Sequence, residues 1–118
     1  MKLEIIVIKR DGRKVPYDKD KIRNAITKAF WEVYEQNDHD KATIDLITDH
    51  VHKEILANLI MSGSREIGIE DIQNIVENVL MSEDKVVAKK YIIYRNERNK
   101  YRKSKLYRVF DSISNVVV

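Results

Sequence analysis

The chain has 118 residues, enough for one domain around a single modest core. Its 22 Lys and Arg against 19 Asp and Glu leave a net charge of only +3, so overall charge alone does not argue for a nucleic-acid partner. Without cysteine there is no disulfide, thiolate metal site or cysteine nucleophile in the chain, no run reaches the ~18 apolar residues of a membrane span, and Glu4 interrupts the apolar core a signal peptide needs; a soluble, cytoplasmic protein is expected.

The β-branched run "LEIIVI" (3–8) predicts a strand. Asp11-Gly12 signals a hairpin, because Gly12 can take the positive φ of a tight loop, and the return strand spans 13–17 with Pro16 at its end or on an edge. Asp18 is placed to cap a first helix whose apolar positions, Ile22, Ala25, Ile26, Ala29, Phe30 and Val33, recur at helical spacing to about Gln36. "NDHDK" (37–41) reads as a polar loop. Ile44, Ile47, Val51, Ile55 and Leu59 mark a second helix ending at Ser62-Gly63-Ser64. "EIGI" (66–69) is a short extended piece. Glu70 and Asp71 then open a third helix, where negative charge suits the helix dipole, with Ile72, Ile75, Val76, Val79 and Leu80 on its apolar face. "SED" (82–84) restarts a fourth helix from Lys85 to about Phe110, and "SISNVVV" reads as the start of a linker. No internal repeat is evident. The sum is α+β: a three-stranded sheet built on a hairpin, and four helices.

Catalytic and metal signatures are lacking. His50 and His52 point to different faces of a helix, and no HExxH, calcium-loop, GxSxG, GxxxxGK[ST] or GxGxxG pattern occurs. The basic residues are the better lead. Lys9 and Arg10 stand at the hairpin turn, Arg13 and Lys14 follow it, and Lys19 and Lys21 lie in the next helix's first turn, where lysine opposes the dipole. Two readings fit: a solvated basic surface with lysines guarding a sheet edge, or an anion site in which backbone N–H groups and cations face one ligand. A second basic stretch runs from Lys89 to Arg108 against one acid, Glu97, with Tyr91, Tyr94, Tyr101 and Tyr107 interleaved. It suits a long helix with tyrosines in the core, or a nucleic-acid-binding surface.

"VIKRDGRKVPYDKDKI" (7–22) resembles the signature of the ATP-cone domain, the nucleotide-sensing module at the N-terminus of many ribonucleotide reductases. "IGIEDIQNIVENVLM" (67–81) resembles that family's third-helix motif, and "VAKKYIIYRNERN" (87–99) its closing helix; "KYRKSK" is similar to the basic run of the anaerobic ribonucleoside-triphosphate reductases. The resemblance implies a hairpin-topped sheet capping a four-helix bundle, with ATP or dATP, accompanied by Mg²⁺, between hairpin and helices. It implies that Val7 lines the adenine or ribose side, that Lys9, Arg10 and Lys21 hold phosphates, and that Tyr94 and Arg95 close the site. Lys14 and Lys89 join the candidates on charge and location. Many cones carry an acid two or three residues after the glycine, where this chain has Lys14-Val15. The implied domain covers 1–100, with 101–118 the basic end of the last helix and the start of a linker to a reductase catalytic domain. As an allosteric module it would bind adenine nucleotides, control overall reductase activity and be able to self-associate, with no catalytic residue, no metal ligand and no membrane partner. The alternatives are a cone of a nucleotide-sensing regulator and a nucleic-acid-binding module. The zinc ribbon that precedes the cone in the related bacterial repressors requires cysteines, which this chain lacks.

Overall fold

The first apolar run breaks at a turn that a residue without Cβ makes at little cost. In the computed structural model, which describes residues 4–34 and 39–117 and the side chains of 4–34 and 41–101, Gly12 has a φ of 87°. Its N–H donates to the Lys9 carbonyl at 2.9 Å, and the Lys9 N–H donates to the Arg13 carbonyl at 2.8 Å. This is a three-residue hairpin loop with glycine at its left-handed position. It joins β1 (Ile6–Ile8) to β2 (Lys14–Pro16) antiparallel, with Val7 opposite Val15. β3 (Glu66–Gly68) pairs parallel to β1 on the other side, with Val7 opposite Ile67, giving the order β2-β1-β3. Pro16 therefore lies on an edge strand, where its missing N–H breaks no ladder. The sheet is three residues deep, so one face suffices for the core: Val7 and Ile67 are buried and Val15 packs against them.

Four helices complete the fold. α1 (Lys19–Val33) starts where the Asp18 carboxylate accepts the Asp20 N–H at 3.0 Å. α2 (His39–Ser62) stops at Gly63, φ 68°. There the Ser64 N–H reaches the Leu59 carbonyl and the Gly63 N–H the Ile60 carbonyl, the paired bonds of a Schellman ending. α3 (Ile69–Glu83) follows β3 without a loop, and α4 (Lys85–Val117) starts where Asp84 Oδ1 accepts the N–H groups of Val86 and Val87 at 3.0 and 3.1 Å. The helices form a ring in which α1 and α3 each pack against both α2 and α4. Ile26, Val51, Ile55, Leu80 and Val87 are sealed in its middle. Thr48, the one buried polar side chain there among the described residues, is satisfied by donating its hydroxyl to the Ile44 carbonyl at 2.7 Å.

Three expected boundaries move. The polar loop expected at 37–41 is shorter, because α2 already begins at His39; residues 37 and 38 lie outside the described residues. α1 ends at Val33 rather than near Gln36, with the Tyr34 N–H closing on the Phe30 carbonyl; Glu35 and Gln36 lie outside the described residues. α4 runs to Val117, past Phe110 and through the stretch expected to begin a linker. From Lys85 to Val117 there is no Gly or Pro to stop it.

A likeness of the two halves, which the sequence does not display, emerges at an offset of fifty residues. α1 and α3 are each 15 residues long, and positions 21–30 and 71–80 share one burial pattern. Each follows a short strand, and each ends with the cap N–H on the last buried residue, Phe30 or Leu80. The two caps meet: the Tyr34 hydroxyl donates to Asp84 Oδ2 at 2.6 Å. The repeat lives in the burial pattern, because Ile, Val, Ala, Phe and Leu substitute for one another on such a face.

Leu80→Ala is expected to lower stability by about 2–5 kcal/mol in urea unfolding, the range for emptying a sealed core position. Asp84→Ala removes the α4 cap and should cost about 0.5–2 kcal/mol near neutral pH. Burial would raise the Asp84 carboxyl, but the Tyr34 hydroxyl and the N–H groups of Val87 and Val86 prevail and hold it below its ordinary 3.8. The difference between wild type and variant is therefore full above that value and should vanish as pH falls through the lower folded one.

Candidate functional site

The parallel pairing of β1 with β3 sets the hairpin loop over the start of α3, since α3 continues directly from β3. Arg10, at the loop, reaches down onto α3: its Nη2 donates to Gln73 Oε1 at 2.9 Å and its Nη1 pairs with Glu70. Arg95, from α4, reaches the same helix. It donates to Glu70 Oε2 at 2.5 Å, Glu77 Oε1 at 2.7 Å and Asn74 Oδ1 at 3.0 Å. Glu70 thus bridges two guanidinium groups carried by different elements. The Arg95 side chain is only 12% exposed, while that of Glu70 is 49% exposed.

The electrostatics follow from this geometry. The Arg95 hydrogen bond, opposed by partial desolvation and helped by Arg10, holds the Glu70 carboxyl below its ordinary 4.5. Desolvation works against the charge on Arg95, but Glu77 and Glu70 outweigh it and raise its pKa above the ordinary guanidinium value. The cluster can hold a compact anion: two guanidiniums converge at one place, and a carboxylate already shows where an oxyanion sits.

The other sequence candidates distribute unevenly. Lys9 is half-buried at the hairpin, and Lys21 is exposed in the first turn of α1. Neither forms an ion pair among the described residues, so both remain available to a ligand. Val7 is buried as part of the central strand, within the core. Lys14 is not brought to the arginines: it alternates with inward Val15 and pairs with Glu66 across β1 at 2.7 Å. Lys89 is exposed on α4. Tyr94 is exposed along a groove of about 400 Å³ between α1 and α4, floored by Ala25 and Ala29 and flanked by Trp31 and Lys90. The Arg98 guanidinium stands 5.9 Å from the Tyr94 ring centre.

Sequence reasoning missed the α3 side of the site. Glu70 reads only as a complement to the helix dipole, and Gln73, Asn74 and Glu77 carry no sequence reading, yet the spacing of the four is i, i+3, i+4, i+7, one polar stripe beside the apolar face. That spacing was the available signal. His52 is half-buried, its Nδ1 2.9 Å from the Tyr17 hydroxyl with the rings stacked 5.6 Å apart. Burial and nearby Lys19 lower the His52 pKa, and burial with Asp18 pushes Tyr17 up to about 12. This pair ties the end of β2 to α2 and supports the hairpin from beneath.

The chain matches the family described as ATP cone domain over residues 5–100. It is similar to the vitamin B12-dependent ribonucleoside-diphosphate reductase of Thermoplasma acidophilum, 35% identical over 106 residues that make 84% of this chain and 12% of that one. It is similar to the anaerobic ribonucleoside-triphosphate reductase of Escherichia coli (strain K12), 37% identical over 95 residues, 79% of this chain and 12% of that one. It is also similar to the transcriptional repressor NrdR 3 of Paramagnetospirillum magneticum, 31% identical over 96 residues, 80% of this chain and 58% of that one. The chain thus spans about a tenth of the length of the reductases it matches.

Arg95→Ala should destabilise the fold by roughly 1–3 kcal/mol, because Glu70 and Glu77 lose a partner that is itself largely buried. In carbon-detected NMR the Glu70 carboxyl should then titrate higher, moving back toward 4.5.

Proposed function

The chain belongs to the ATP-cone family, a family of regulatory rather than catalytic domains, and from that premise we propose that it binds ATP and dATP and controls the overall activity of a ribonucleotide reductase. The observation that carries the reading is the convergence of Arg10 and Arg95 on one place at the start of α3, beside a hairpin whose Lys9 has no ion pair among the described residues. Arg10 and Lys9 from above, Arg95 from α4 and Lys21 from α1 would share the phosphates, and Tyr94 would meet the ligand from the last helix. Charge-assisted bonds to phosphate are the stronger class, and arginine's planar fork suits them. Lys14, on the other side of the sheet edge, and exposed Lys89 would act at most through long-range attraction.

The regulatory step follows from linkage. ATP occupancy would permit activity and dATP occupancy would stop it, so the two ligands must favour different arrangements of this domain against a reductase catalytic body. A coupling of about 1–3 kcal/mol is typical of such control. The ligands differ by one hydroxyl, which shifts an equilibrium only where a buried polar group is satisfied in one complex and not in the other. Mg²⁺ would arrive with the phosphates. Among the described residues no group of three or more His, Asp or Glu is placed to hold a metal ion. No helix among the described residues is long and apolar enough to cross a membrane, and the cytoplasm, where nucleotide pools lie, is the proposed place of action.

The likeness to repressors, over more than half of their length, supports a second reading in which the same nucleotide site serves a regulator of transcription. Both readings require nucleotide binding. Titration calorimetry of the 118-residue chain with ATP and with dATP should show saturable binding of both, and the double variant Lys9→Ala/Arg10→Ala should lose at least tenfold in affinity for each, the loss of two charged contacts. Binding at 100 times the dissociation constant should stabilise the wild-type fold by about 2.7 kcal/mol, read as a rise in Tm. Absence of any heat or Tm change for the wild type would remove the proposal.

A further inference from the structure

We propose that Glu70 is an internal anion that stands in for a ligand phosphate: it competes with nucleotide for Arg10 and Arg95, and its release joins nucleotide binding to the loss of the charged tether between hairpin loop and helix. The inference rests on the nucleotide reading above and deepens it.

Three features of the geometry carry it. Among the described residues Glu70 alone touches both guanidiniums, and it does so from a half-exposed position that solvent or a ligand can reach. Each arginine also has partners that stay when Glu70 leaves. Arg95 keeps Glu77, which is only 24% exposed, and Asn74, while Arg10 keeps the Gln73 amide. Both cations therefore remain aimed at the vacated place without Glu70, which is what a displaceable occupant needs and a purely structural bridge does not. Finally, the place is the first turn of α3, where the helix dipole favours whichever anion is present, carboxylate or phosphate.

Displacement has a mechanical consequence. The Glu70 carboxylate is part of the tie between the hairpin loop and α3, and Arg95 is part of the tie between α4 and α3. A phosphate that takes both arginines replaces a tether within the chain by a bridge through the ligand. The charged part of the hairpin's hold on α3 then runs through the ligand, while the Gln73 hydrogen bond and the β1–β3 ladder keep the loop over α3.

The test compares wild type, Glu70→Gln and Glu70→Ala by calorimetry with two probes, ATP and inorganic tripolyphosphate. The second probe reads the anion site without adenine. Both variants should bind tripolyphosphate and ATP more tightly than wild type, on the order of three- to thirtyfold, the worth of two partly exposed ion pairs. Their unliganded Tm should be equal or lower, so affinity and stability move in opposite directions; a bridge that only shapes the site would lower both. In the wild type, saturating tripolyphosphate should raise the Glu70 carboxyl titration toward its ordinary 4.5. Variants that bind either probe no more tightly than wild type, or a Glu70 titration unmoved by a bound probe, overturn the inference. Wild type that binds neither probe, with variants that bind tripolyphosphate, upholds the competing carboxylate and removes the nucleotide reading instead. If no form binds either probe, both fall.

Discussion

Everything at the candidate site depends on β1 being paired on both edges. Its antiparallel partner is the other arm of the hairpin, its neighbour in sequence, and its parallel partner is a strand some sixty residues on that runs straight into α3. Two three-residue ladders are weak by themselves. They hold because Val7 sits opposite both Val15 and Ile67 and seals the end of the helical ring. A one-residue slip of either pairing would turn Val7 or Ile67 outward, so the core fixes the register. The register in turn sets the loop over the first turns of α3. Arg10 meets Glu70 as a consequence of where hydrophobic side chains must go.

The charges around that meeting point are arranged in a particular way. Four polar residues of α3 face two arginines, and the arginines come from the hairpin and from α4, which are far apart in sequence. Exposed ion pairs add little stability singly, so the cluster is poorly explained as a fastening. It is better explained as pre-positioning: Arg95, held in its place by Glu77 and Asn74, loses little freedom when an anion arrives. Elsewhere the same chemistry does only structural duty. At the start of α1, Arg23 bridges Asp20 and Asp45, and Lys19 pairs with Asp49 at 2.5 Å, tying α1 to α2. The two halves share a strand–helix plan, but only one of them has a hairpin loop above it.

Much of this was legible in the sequence where local chemistry decides. Gly12 and Gly63 mark turns because their φ values are positive, Asp18 marks a helix start because its carboxylate is short enough to cap, and the apolar spacing of 22–33, 44–59 and 72–80 marks buried faces. The basic hairpin was legible as a candidate anion site. What the sequence left open was long-range. Nothing near Glu70 announces that Arg10 and Arg95 will meet there, because that depends on the parallel pairing of β3 and on the angle at which α4 crosses α3. Lys14 illustrates the converse. Its charge and its place beside the turn were suggestive, but strand alternation sends it to the outer side with Glu66. α4 continues to Val117, into the "SISNVVV" stretch that reads as the start of a linker, because nothing there breaks a helix.

A site whose cations are already partnered behaves differently from an empty one. An empty basic pocket binds phosphate and need not move. On the proposed competition with Glu70, a ligand's anion would take over contacts that join the hairpin, α3 and α4, so part of its binding free energy would go into rearranging those contacts. That is the condition for a ligand to shift a conformational equilibrium: its interaction must differ between the two states. It also limits the shift to that difference. Two ligands with identical phosphates would rearrange the arginine cluster alike, so whatever distinguishes them has to lie at the sugar. On that proposal the phosphate end would supply the change at the arginines and the ribose end the discrimination.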